Sequence, residues 1–237
     1  MMDRTLKAFS LLLSYPTAEL QAAMPEIGAV VSADPRLSPD LRDALRPLLA
    51  RLGQGDIYDV QEDYVMLFDR SRTLSLNLFE HVHGESRERG SAMVSLMETY
   101  RAAGVEPATT ELPDHLPVLL EYLATRPTAE ATETLQDAAH ILAAIGARLA
   151  RRESLYAPVF DGLVQLAHVQ VDSAAVAELL EQPDDDPTDL EALDAVWEEA
   201  EVTFGPDPNA GCPQVRDMLA QMDPGTPSPD RASHAAE

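Results

Sequence analysis

Residues 128–149, TAEATETLQDAAHILAAIGARL, decide the fold class. Leu135, Ala139, Leu142, Ile145 and Leu149 recur every three or four positions, the spacing that lines up one face of a helix. The wider composition agrees. Apolar residues make up 45% of the 237 and aromatics only 5%, so a core must be built mostly from Leu, Ala, Val and Met. Ala, Leu, Glu and Arg dominate, while Val and Ile do not alternate with polar residues. That mixture favours helices over strands.

Working outward, helix signals come one after another almost without a gap. On the N-terminal side, Asp114 reads as the start of a helix bearing Leu116, Leu119, Leu120 and Leu123. A methionine-rich helix precedes it, with Met93, Leu96, Met97 and Tyr100 in phase after Gly84 or Gly90 and a stop at Gly104. Asp56 caps a helix carrying Ile57, Val60, Tyr64, Leu67 and Phe68. Ser38-Pro39 opens another, bearing Leu41, Leu45, Leu48 and Leu52 and ending at Gly53. The first helix is capped near Asp3 and stopped at Pro16. On the C-terminal side, Ser154 and Asp172 cap two shorter helices. The acidic linker of residues 183–187 precedes a last helix around Leu190, Leu193 and Trp197. From Gly205 the chain is Pro, Gly, Asp, Ser and Ala, which predicts disorder. The expectation is an all-α, single-domain bundle of about nine helices over residues 1–204, with a tail over 205–237.

The formal net charge is −24, and from Glu153 to Val215 there are 15 acidic residues with no Lys or Arg. Such a chain is repelled by phosphate backbones and anionic lipid, which disfavours nucleic-acid and membrane-surface roles. Solubility is the plain consequence of the acidic third; attraction of a basic partner segment is the sharper one. The single cysteine, Cys212, excludes an internal disulfide and multi-cysteine metal sites. The single lysine, Lys7, leaves no phosphate-cradling P-loop. No stretch reaches membrane-spanning length, and residues 1–14 read as an amphipathic helix rather than a signal peptide, so the expected compartment is the cytoplasm.

Two polar clusters stand out. In Glu80-His81-Val82-His83-Gly84-Glu85 the ligand types for a metal are present. On a helix, however, His81 and His83 point roughly 200° apart, so no metal is expected, and hydrogen bonds to nearby backbone explain the imidazoles better. Arg70, Arg72, Arg87 and Arg89 bracket the cluster and suit internal ion pairs, or else an acidic group on a partner. The second cluster, Glu111-Leu-Pro-Asp-His-Leu-Pro117, reads first as a helix start with Asp114 as N-cap to Leu116. Capping leaves unexplained why Pro113, Pro117 and His115 crowd one turn. A stiff, partly exposed loop with a free imidazole suits a recognition surface.

The run from Tyr64 to Tyr100, with Leu67-Phe68-Asp69-Arg70, Leu78-Phe79-Glu80-His81-Val82-His83-Gly84-Glu85-Ser86 and Arg89-Gly90, resembles the central signature of the NarJ-type chaperones of respiratory nitrate reductase. Glu111–Pro117 with Leu120-Glu121-Tyr122-Leu123 resembles their second signature, and weaker likeness extends over about residues 4–204. The resemblance implies an all-helical domain that is not an enzyme and carries no cofactor. It also implies a partner: the apo catalytic subunit of nitrate reductase, held through its N-terminal segment and kept competent for iron–sulfur and molybdenum-cofactor insertion in the cytoplasm. The alternative is the same service to a different molybdoenzyme. By the same resemblance, Asp114 and His115 lie at the peptide groove. The partner-binding set is then Pro113, Asp114, His115, Leu116 and Pro117 together with Phe79, Glu80, His81, His83 and Arg87.

Overall fold

The computed structural model describes residues 2–84 and 86–181. Ten α-helices occur in that range: α1 Arg4–Leu12, α2 Ala18–Ala33, α3 Pro39–Gln54, α4 Ile57–Tyr64, α5 Leu78–His83, α6 Arg87–Ala102, α7 Leu116–Ala124, α8 Thr128–Arg151, α9 Ala157–Ala167 and α10 Ser173–Leu180. Among the described residues the sole extended pairing is an isolated antiparallel bridge between Asn77 and His115. The expected tail and the expected helix near Trp197 lie outside the described residues.

The core grows from α8, whose predicted apolar stripe is buried, with Leu142, Ile145 and Leu149 fully covered. It packs along α9, which contributes Val159, Phe160, Leu163 and Leu166. α1 lies against α7 and reaches α9 through Phe9, which has no exposed surface. Burial on that scale stabilises by about 1.5–3 kcal/mol for one large side chain. Gly162 makes the approach possible: a Cβ there would sit 2.6 Å from Phe9 Cε2.

Four of the local start signals on the sequence hold, while Ser154 does not cap α9, which begins with Tyr156 in the cap position and no side-chain cap bond. Asp3 accepts from the amides of Thr5 and Leu6, Ser38 from Leu41, Asp56 from Tyr58 and Asp172 from Ala174. Asp3 also receives Arg36, whose guanidinium forks across Asp3 (2.6 Å) and Asp34 (2.6 Å) and so joins the start of α1 to the end of α2. Burial pushes the Asp34 carboxyl up, but hydrogen bonds from Arg36 and Thr5 outweigh it and hold the pKa at about 2.

Three further readings need correction. α2 and α5 add two helices to the described bundle. The helix begun at Asp56 is also not uniform: after Tyr64 the chain makes a π-turn, Val65–Asp69, closed by the Arg70 amide on the Val65 carbonyl (3.1 Å). That wider turn seats Phe68 between the rings of Tyr64 and Tyr156, each 5.1 Å away. Finally, Asp114 is not the cap of the helix that comes after it. α7 begins at Leu116 with His115 in the cap position, and the Leu116 amide donates to the Leu76 carbonyl (2.8 Å).

A candidate partner-binding cleft beside the proline-bounded loop

The loop is partly exposed: Pro113, Asp114, Leu116 and Pro117 are buried, while Glu111 and Leu112 are exposed and His115 is half-buried. Its residues divide between two sides. Asp114 points inward: its Oδ2 accepts the Phe79 amide (3.0 Å), and its backbone carbonyl accepts the Leu78 amide (3.1 Å). The first turn of α5 is therefore capped from a residue 35 positions away, while Asn77, in the local cap position, makes no side-chain cap bond. Burial raises the Asp114 carboxyl above its ordinary value despite the Phe79 amide.

His115 faces the other way, into a cleft of about 360 Å³. α1 supplies Ser10 and the turn after it Ser14 and Tyr15; the π-turn supplies Asp69; the loop before α7 supplies Thr109 and Glu111; α7 supplies Pro117, Val118 and Glu121. Ser10 fastens the wall by donating to the Pro117 carbonyl (2.8 Å), and Tyr64, at the back, donates to the Leu13 carbonyl (3.0 Å). Three carboxylates, Asp69, Glu111 and Glu121, line this space, and among the described residues no Lys or Arg does. Lys7 reaches Glu121 at 2.5 Å from outside the lining. Burial and the neighbouring Glu111 charge raise the Asp69 pKa. Burial lowers that of His115 in spite of Glu111, Asp114 and Asp69, which favours the neutral imidazole. The cleft thus offers negative charge, an imidazole, hydroxyls and a tyrosine ring, which suits binding of a basic, partly apolar segment.

Phe79, Glu80, His81 and His83 do not line this cleft. Phe79 and His83 pack edge to face, 5.7 Å between centroids. Glu80 pairs with Arg89 at 2.8 Å, the internal ion pair the arginine-rich pattern suggested. His81 donates from Nε2 to the Ser75 carbonyl at 2.8 Å, and burial lowers its pKa. Arg87 is the first residue of α6. Among the described residues no three His, Cys, Asp or Glu side chains converge as a metal would require. Sequence reasoning missed Asp69, Glu111, Glu121, Ser10, Ser14 and Tyr15. Glu111 and Glu121 stand inside the second signature; the others come together only through the fold.

The family model of the nitrate reductase delta subunit matches residues 34–161, a span that includes the loop, α5 and the π-turn. The chain is 48% identical over 204 residues to the "Nitrate reductase molybdenum cofactor assembly chaperone NarJ" of Escherichia coli K12, covering 85% of each. It is 41% identical over 207 residues to the "Probable nitrate reductase molybdenum cofactor assembly chaperone NarW" of the same strain, covering 87% of this chain and 86% of the other. The crystal structure of a "Putative Redox Enzyme Maturation Protein" from Archaeoglobus fulgidus shares the fold, with a TM-score of 0.52 at 22% identity over 71% of this chain and 95% of that one. With the family match spanning the loop and both neighbouring elements, the chain belongs to the nitrate reductase delta subunit family, whose relatives here are assembly chaperones and not catalysts.

Proposed function

We propose that the chain serves nitrate reductase assembly by holding the apo catalytic subunit, gripping its N-terminal segment in the cleft at His115. The observation that carries this reading is the cleft's charge: three carboxylates and, among the described residues, no cation in its lining, in a family named for nitrate reductase. The segment enters as an amphipathic helix. Its basic side chains meet Asp69, Glu111 and Glu121, and its apolar side chains lie on Tyr15 and Val118. The net charge of −24 speeds encounter with such a basic segment.

Assembly then proceeds by differential affinity. A chaperone that binds the open, cofactor-accessible form and not the finished one raises the population of the open form, and needs no nucleotide to do so. Insertion of iron–sulfur clusters and molybdenum cofactor removes the bound form and releases the chaperone. The work takes place in the cytoplasm, before the catalytic subunit docks on its membrane subunit. Among the described residues no helix is long and apolar enough to cross a membrane.

The test is calorimetric titration of the full chain with a peptide of the catalytic subunit's first residues, alongside a leader peptide from a different molybdoenzyme. Saturable binding of the first, weakened by Asp69→Asn with Glu111→Gln, supports the proposal. Preference for the second peptide would assign the chain to another molybdoenzyme, and binding untouched by the double change would move the site elsewhere.

A further inference from the structure

The loop that walls the cleft is also the fastening of α5 and of the end of α6. Four hydrogen bonds cross from it: Asp114 Oδ2 to the Phe79 amide (3.0 Å), the Asp114 carbonyl to the Leu78 amide (3.1 Å), the Leu116 amide to the Leu76 carbonyl (2.8 Å), and the Pro113 carbonyl to the Tyr100 hydroxyl (2.7 Å). α5 has six residues and no side-chain cap of its own. A helix that short does not persist without outside support. No residue of α5 lines the cleft. His115, which does, is the immediate neighbour of Asp114, and Pro113 and Pro117 stiffen the backbone on both sides. His115 therefore cannot shift without moving Asp114.

The same junction concentrates buried polar atoms whose hydrogen bonds are incomplete: Asn77 Oδ1, Arg89 Nε, Asp114 Oδ1 and His115 Nδ1. Buried groups left in this way cost stability. Here they sit at the seam between two elements, where a small displacement of the loop changes all their distances together.

Resting on the proposed partner-binding role of the cleft, we infer that the Pro113–Pro117 loop is a coupling element: a segment seated against His115 shifts Asp114 and resets the cap on α5, so that cleft occupancy is felt at residues 78–80 and at Tyr100. Coupling of this kind is reciprocal, so a change on the α5–α6 side alters affinity in the cleft by the same factor.

Amide hydrogen exchange of the full chain tests this in three arms. With saturating N-terminal peptide of the catalytic subunit, exchange at residues 78–80 is expected to change at least fivefold. Protection confined to residues 10–15, 64–69 and 109–118, with 78–80 as in the free protein, would overturn the inference. Without any peptide, His115→Ala is expected to speed exchange at 78–80 at least fivefold; unchanged rates would overturn it equally. This arm stands even if no peptide binds, a result that would refute the proposed function but not the coupling. In the third arm Tyr100→Phe, which removes the bond to Pro113 and is not itself part of the cleft lining, is expected to weaken peptide binding several-fold. Arg36→Ala, remote from the loop, is expected to leave it unchanged. Equal affinity in wild type and Tyr100→Phe would count against the coupling.

Discussion

Replacing Asp114 by Ala removes the acceptor for the Phe79 amide in a place with no exposed surface. A lost N-cap costs about 0.5–2 kcal/mol, and a buried amide left without a partner costs about 1–3 kcal/mol. These are two views of one event and do not add. Relief of a buried carboxylate offsets part of the loss, so the expected net is about 1–3 kcal/mol. For a unit of this size that lowers Tm by roughly 3–10 °C. Asp114→Asn keeps an acceptor oxygen for the Phe79 amide and removes the charge, so it melts close to wild type at neutral pH. The pH dependence adds a second reading. Burial raises the Asp114 pKa above 3.8, so the folded state binds the proton more tightly than the unfolded state. The stability this contributes is full below the unfolded value and is lost as pH rises through the folded value. Asn does not titrate, so the difference between Asn and wild type moves in favour of Asn as pH climbs out of the acid range. Circular-dichroism melts of the three proteins at stepped pH provide the measurement. An Ala variant that melts with wild type would refute the account of Asp114 as the cap of α5, and an Asn-minus-wild-type difference that stays flat with pH would refute the burial-raised carboxyl.

Asp69→Asn with Glu111→Gln is expected to weaken peptide binding about 5–20-fold at low salt, and titrations in about 0.5 M salt should show most of that difference gone. Gly162→Ala forces the Phe9 ring to move and is expected to cost about 1–3 kcal/mol in urea unfolding, part of it recovered by Phe9→Leu. Arg36→Ala leaves Asp3 and Asp34 without their cation. Because the Asp34 pKa is depressed to about 2, the wild-type advantage is present above 3.8 and fades as pH falls toward 2. Partial exposure limits that advantage to about 1–2 kcal/mol at neutral pH, and acid titration of unfolding free energy for both proteins should show them converge.

How much the sequence discloses depends on whether the cause is local. α8 is legible because its apolar period persists through 24 residues, and α1, α3, α4 and α10 because each carries its own cap. α2 is hidden by Pro25 and Gly28, which read as breakers, although Leu20, Met24, Ile27 and Val31 form its buried face. α5 cannot be read from its own residues, since the carboxylate that starts it comes from the far side of a different helix. Asp114 reads as a cap for the wrong helix: Asp-His-Leu-Pro fits a local start, and only tertiary structure shows the side chain turned toward Phe79. Within the cleft, His115 is legible from its proline-bounded motif, but Asp69 is not, because its placement depends on a turn whose width no short pattern announces.

That turn has a consequence for how the gene tolerates changes in length. At Val65–Asp69 the backbone closes its turn with a bond five residues apart, Arg70 to Val65, where an ordinary helix bonds four apart, so the turn holds one extra residue. Deleting one codon at residues 65–67 would close the turn with an ordinary i→i+4 bond and bring Phe68 and Asp69 one position nearer Tyr64 along the chain. Phe68, now between Tyr64 and Tyr156, and Asp69, now lining the cleft, would then have to be placed at a different spacing from Tyr64. Frame-preserving deletions at residues 106–108, outside this cleft's lining, only shorten a connection, whereas a single one at residues 65–69 disturbs the core and the cleft together. In a library of one-codon deletions, this segment should stand out as intolerant even though its side chains, apart from Phe68, are not buried.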